Sequence, residues 1–194
     1  MTGLGKRKWA MKTNKAHNAT SYVFQKGEPI LIDANIWLYL QPPAAQPPPG
    51  FAWRYSKALK NLLGAGARPV IESLVLSEYL NRYLRLEYDG AWRGVYPTFK
   101  KFRISGDFAA LSKSAVADAR QILKFAAPQD TPLSSLDIPA VLAETEAGTL
   151  DFNDGVLVET CRLRGWKLLT NDGDMTMGGI EVLTTYQPLL NACP

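Results

Sequence analysis

Histidine is almost missing from this sequence, since His17 is the only one in 194 residues. It lies in a lysine-rich opening without apolar periodicity, so a metal-free, histidine-paired ribonuclease is an improbable reading. For the same reason no serine or cysteine has an imidazole to activate it as a nucleophile. Cysteine is equally scarce. Cys161 and Cys193 have neither metal-ligand spacing nor the density of a disulfide framework, and they are read as reduced and incidental. No apolar run approaches the roughly 20 residues that cross a bilayer. The basic start MTGLGKRKWAMKTNKAHN is not followed by the apolar segment of a secretory signal. These absences predict a soluble, cytoplasmic protein with no membrane association. A GxxxxGK(S/T) loop is also missing, which argues against an NTPase.

What is present is enough apolar material, 46% of the chain, for one sizeable core and too little length for two comfortable domains. The net charge of +4 is unevenly placed. Residues 1–29 carry Lys6, Arg7, Lys8, Lys12, Lys15 and Lys26 against Glu28 alone, which leaves the remainder close to neutral. Residues 1–28 are therefore expected to be a flexible basic arm, and residues 29–194 the folded domain. A second basic stretch contains Arg82, Arg85, Arg93, Lys100, Lys101 and Arg103, with Tyr83, Tyr88, Trp92, Tyr96, Phe99 and Phe102 between them. Cations beside rings suit phosphates and stacked bases. The competing reading is that the rings belong to a core and the cations to its solvated rim.

Periodicity predicts a short buried strand at Ile30–Asp33 and helical turns at Ile36–Leu40. The stretch QPPAAQPPPG cannot continue that helix, because prolines remove donors and bias the preceding residues away from helical dihedrals. Further helices are expected at Ala52–Leu63, Leu74–Tyr88 and Phe108–Ala126, the last with Asp107 as N-cap and Ala127-Pro128 as its stop. Leu133–Leu136 reads as a short strand and Ile138–Ala147 as a helix. A helix from Asp151 to Arg164 closes on Gly165. Strands are expected around Val70, at Trp166–Thr170 and at Ile180–Leu183. Short apolar strands alternating with amphipathic helices predict an α/β protein, a three-layer α/β/α sandwich around a mainly parallel sheet.

Ligands of such sheets bind at the carboxyl ends of the strands. Asp33 closes the strand ILID, and Asp172 follows WKLLT in TNDGD, together with Asn171 and Asp174. Glu78 and Asp154 sit on predicted helices near strand ends, with Asp151 one turn before Asp154. Each has an ordinary alternative: Asp151 as a helix cap with Asp154 at N3, Asp172 and Asp174 as turn residues, Glu78 as a solvated helix acid. Asp33 resists this treatment, because an acid ending an apolar strand lies near the core and needs a partner.

The stretches LIDANIWL, SLVLSEYLN and FNDGVLVETCRLRGWKLLTNDGDM resemble, in order, the three signature regions of the PIN-domain nucleases, the family that includes the VapC-type toxins of toxin-antitoxin pairs. The resemblance implies a PIN-like fold over about residues 29–185 and puts Asp33, Glu78, Asp154 and Asp172 in the places of its four metal-binding catalytic acids. Asp174 and Asp151 are expected to assist, and Asn35 and Thr170 to orient the acids. Gly155 replaces the alanine common after the third acid. The implied activity is a Mg²⁺- or Mn²⁺-dependent endoribonuclease, with RNA as substrate and, in the toxin case, an antitoxin partner and a homodimer. A housekeeping RNA-processing nuclease and a catalytically silent PIN module that binds RNA or a protein are the alternatives. A haloacid-dehalogenase-type phosphatase needs D-x-D where this chain has Asp33-Ala34-Asn35, and a response-regulator receiver needs adjacent acids after its first strand. Neither requirement is met.

Overall fold

A computed structural model describes residues 12–194. In chain order the strands are β1 (Lys15–Asn18), β2 (Pro29–Ile32), β3 (Arg68–Glu72), β4 (Ala127–Gln129), β5 (Lys167–Leu169) and β6 (Glu181–Thr184). They form one sheet in the order β1-β6-β5-β2-β3-β4, and every pairing is parallel. The helices are α1 (Ala34–Leu40), α2 (Trp53–Gly64), α3 (Ser73–Glu87), α4 (Phe99–Arg103), α5 (Gly106–Phe125), α6 (Ile138–Glu146), α7 (Phe152–Arg164) and α8 (Gln187–Ala192). Among the described residues none is long and apolar enough to cross a membrane.

The central strands explain why the sheet is covered on both sides. Ile30, Leu31 and Ile32 of β2 are all fully buried. Alternate side chains of a strand point to opposite faces, so an unbroken apolar run demands helices on both. The expected α/β/α sandwich with a parallel sheet is what the chain forms.

Several boundaries depart from the sequence expectations. Lys15–Asn18, placed in the flexible arm, is instead the edge strand β1, in register with Glu181–Thr184. Its four polar or small residues, KAHN, give no apolar alternation, and its position is fixed by Asn14. That side chain donates to Met175 O at 3.0 Å and accepts from Ile180 N at 3.0 Å. The other arm cations Lys6, Arg7 and Lys8 lie outside the described residues. Ala127–Gln129, expected as a helix stop, forms β4 at the opposite edge, where a proline is tolerated because one side of the strand has no neighbour to bond. Leu133–Ser135 is a 3-10 turn rather than a strand. The cap of α5 is Ser105, whose hydroxyl accepts from Phe108 N at 3.2 Å, while Asp107 lies in the first turn.

Candidate active site

The sheet order creates the crevice. From β2 the chain moves to β3 and β4 on one side, whereas β5 and β6 lie on the other. Connections that leave β2 and β5 in opposite directions open a gap at their carboxyl ends. Asp33 follows β2 there, and Thr170, Asn171 and Asp172 follow β5.

Asp33 is 5% exposed and caps α1. Its Oδ2 accepts the Thr170 hydroxyl and the Asn35 amide, each at 2.6 Å. The Thr170 hydroxyl in turn accepts from Asn35 Nδ2 at 3.1 Å and from Asp172 N at 3.0 Å, and Asn35 Oδ1 accepts from Asn171 N at 3.2 Å. One small network therefore joins the two strand ends. Burial pushes the Asp33 carboxyl up to about 6; the Thr170 hydroxyl bond opposes this, and the charges of Glu78 and Asp172 reinforce it.

Asp154 reaches the same crevice from the first turn of α7. Asp151 caps that helix by accepting Asp154 N at 2.9 Å, so the ordinary reading of Asp151 is correct for its hydrogen bond. Its charge nevertheless acts on its neighbour. The Asp154 carboxyl is pushed up to about 7, first by burial and then by Asp151, Asp172, Asp33 and Glu78. Residues 33, 78, 154 and 172, far apart in sequence, thus share one electrostatic neighbourhood.

The acids are not gathered into a finished cage. Among the described residues no three His, Cys, Asp or Glu side chains stand close enough to hold a metal as they are. Glu78 is drawn to Arg82, one helical turn on, at 3.1 Å. Asp172 Oδ1 accepts from Asp174 N at 2.9 Å, and the exposed Asp174 joins the site through that backbone bond. The donor set itself, all carboxylate oxygens, suits a hard cation such as Mg²⁺ or Mn²⁺.

No family model matches the sequence, and no curated protein does. Two solved structures are similar in fold. PAE2754 from Pyrobaculum aerophilum has a TM-score of 0.45 at 20% identity, over 85% of this chain and 96% of its own. VapBC2 from Rickettsia felis, crystallised bound to a DNA fragment from its promoter, has a TM-score of 0.49 at 15% identity, over 80% of this chain and 98% of that one. The all-parallel order is the one that the alternation of strands and helices in the sequence implies. The fold is a three-layer α/β/α sandwich around an all-parallel sheet.

One departure from the PIN sequence pattern has a packing cause. A Cβ at Gly155 would lie 2.8 Å from Val141 Cγ1 of α6. Helix α6 therefore packs against α7 at a point where even alanine is too large.

Residues that the sequence did not single out also reach the crevice. The Tyr55 hydroxyl donates to Asn171 Oδ1 at 2.6 Å and accepts from Thr185 N at 3.1 Å, tying the loop after β5 to the end of β6. Tyr39 accepts from Asn171 Nδ2 at 3.4 Å. Tyrosines on amphipathic helices look like ordinary core residues, and nothing in the sequence sets these two apart.

The basic aromatic stretch divides differently from the base-stacking expectation. Trp92 stacks on Phe102 with ring centroids 5.5 Å apart, Tyr88, Tyr96 and Phe108 also pack on Phe102, and Phe102 is fully buried. These rings pack around Phe102 beside α4, with Trp92, Tyr96 and Phe99 half-buried. Arg85 lies 4.7 Å over the Phe99 ring, and Arg93 pairs with Asp89. Lys100, Lys101 and Arg103 are exposed on α4. Arg82 is the cation bonded to one of the crevice acids.

Proposed function

We propose that the chain is a metal-dependent endoribonuclease. The observation that carries the reading is the shared crevice, where burial and four neighbouring acids hold Asp154 near neutrality and where Asp33 is similarly raised. Carboxylates forced together at that cost suit a site completed by a divalent cation.

In this reading Asp33, Glu78, Asp154 and Asp172 hold the cation, with Asp151 and Asp174 assisting. Mg²⁺ or Mn²⁺, when bound, supplies Lewis acidity and a more acidic bound water for attack on the phosphodiester, leaving a 5′-phosphate and a 3′-hydroxyl. The chain's own groups prepare this. Thr170 and Asn35 hold Oδ2 of Asp33 by two hydrogen bonds, while Oδ1 accepts only a longer one, from Asn35 N at 3.4 Å, among the described residues. Glu78 would help hold the cation, while Arg82 beside it, whose guanidinium keeps further donors, would meet a substrate phosphate. The sequence resemblance adds a toxin role with an antitoxin partner and a homodimer.

Cleavage of single-stranded RNA by the purified chain with Mn²⁺, set against the same reaction in chelator and with Asp33→Asn, tests the activity. Metal-independent cleavage, or full activity in the variant, overturns the proposal. Growth arrest on expression alone, relieved by a neighbouring gene product, tests the toxin role.

A further inference from the structure

A cleft of about 380 Å³ opens beside the acids, between α1, α3 and the proline-rich loop. Its walls mix polar and apolar groups: Tyr39 and Phe51 meet edge to face with ring centroids 5.5 Å apart, and the prolines 47–49 and Leu86 also line it. Its polar groups are Asn35, Arg82 and Gln46. Two of these belong to the acid crevice, since Asn35 bonds Asp33 and Arg82 bonds Glu78. Cleft and crevice are therefore continuous.

The loop that walls the cleft is fastened at several points. Gln41 O accepts the Tyr79 hydroxyl at 3.1 Å. Ala45 N donates to Glu87 at 3.1 Å, and Glu87 is 5% exposed. Gly90 comes so close that a Cβ there would lie 2.9 Å from Ala45 Cβ and 3.0 Å from Ala45 O. Prolines restrict the remaining backbone. The slot is consequently formed in advance, and a ligand entering it orders little chain.

We propose that this cleft binds one unpaired nucleobase of the RNA strand being cut, an inference that rests on the nuclease reading of the adjoining acids. A strand whose phosphate meets Arg82 at the crevice presents its neighbouring base to the Tyr39–Phe51 wall. Aromatic faces and prolines take any base by stacking, and the Gln46 amide at the rim offers both a donor and an acceptor to a base edge. The volume lies near the small end of ligand clefts, roughly 300–1,000 Å³, and is ample for one base. A base held in a duplex cannot enter, so the cleft selects single strands.

The test is fluorescence anisotropy of the full chain in chelator with short oligouridylate and oligoadenylate, single-stranded and as a duplex. Phe51→Ala, at an exposed rim position, weakens single-strand affinity about tenfold or more, and Phe51→Trp restores it. The wild type binds the duplex no better than Phe51→Ala binds the single strand. Unchanged affinity in Phe51→Ala, or no measurable binding by the wild type, overturns the proposal and leaves the cleft to a protein segment. Asp33→Asn separates the two readings. Oligomer binding that survives in this variant and depends on Phe51 supports the base site even if no metal elicits cleavage. Cleavage by Phe51→Ala with an unchanged KM removes the base site and leaves the nuclease intact.

Discussion

Thr170 donates its hydroxyl to Oδ2 of Asp33 at 2.6 Å, across 137 positions of sequence, while accepting from Asn35 Nδ2 and Asp172 N. One hydroxyl thereby sets the spacing of two strand ends and the direction of one buried carboxylate. That carboxylate is buried and feels the charges of Glu78 and Asp172, and this conflict is the source of the expected behaviour of the chain.

Asp33→Asn is expected to abolish metal-dependent cleavage without unfolding the protein. The asparagine carbonyl oxygen can take the place of Oδ2 and accept from Thr170 and Asn35, at the loss only of the long 3.4 Å cap bond from Asn35 N to Oδ1. Removing one charge from the crevice also relieves repulsion, so the melting temperature without metal stays level or rises by a few degrees. Cleavage assays and a melting curve check this. Asp33→Ala loses the cap as well and is expected to cost about 1 kcal/mol.

Stability without metal should fall as pH rises. In the folded chain Asp154 and Asp33 ionise near 7 and 6, against about 3.9 for an unfolded aspartate. Between those values the folded state holds protons that the unfolded state has lost, so stability declines from about pH 4 upward and the full cost is present above about pH 7. Thermal melts at about pH 5 and about pH 8 measure the slope. Asp154→Asn flattens it, and an unchanged slope in that variant would contradict the assignment of the acids.

Mn²⁺ should remove the same penalty. At about a hundredfold excess over Kd, binding to the folded state alone adds about 2.7 kcal/mol, a rise of roughly 5–10 °C for a chain of this size. Calorimetric titration gives the Kd independently. Heat and melting shift are both expected to diminish in Asp154→Asn and in Asp172→Asn.

Tyr55→Phe removes the hydroxyl that joins Asn171 to Thr185. Those groups lose a buried partner, which costs about 1–3 kcal/mol. Through the shifted Asn171 the variant binds Mn²⁺ about tenfold more weakly. Loss of stability with unaltered Mn²⁺ affinity would reduce Tyr55 to a packing residue.

Gly155→Ala forces a methyl group to 2.8 Å from Val141 Cγ1 and is expected to destabilise the fold by about 1–3 kcal/mol. Val141→Ala in the same chain restores part of that loss. A double-mutant cycle without coupling would show that the two helices do not meet as described.

The sequence by itself determined the strand-helix alternation, the parallel sheet and the places where acids follow strands. Those features are local: apolar runs such as ILI and LL, the cap at Asp151 and the left-handed Gly165 at φ 65° need no distant partner to be read. The tertiary structure alone decided the edges and the site's surroundings. β1 and β4 exist because a neighbouring strand lends them hydrogen bonds, not because KAHN or APQ favours extended chain. The rings of residues 88–108 pack because they found each other, and Tyr55 and the proline loop came to the crevice because a sheet whose strand order reverses between β2 and β5 folds remote segments onto the same edge. Which distant groups meet depends on how the layers close, and a linear pattern of residues carries no such distances.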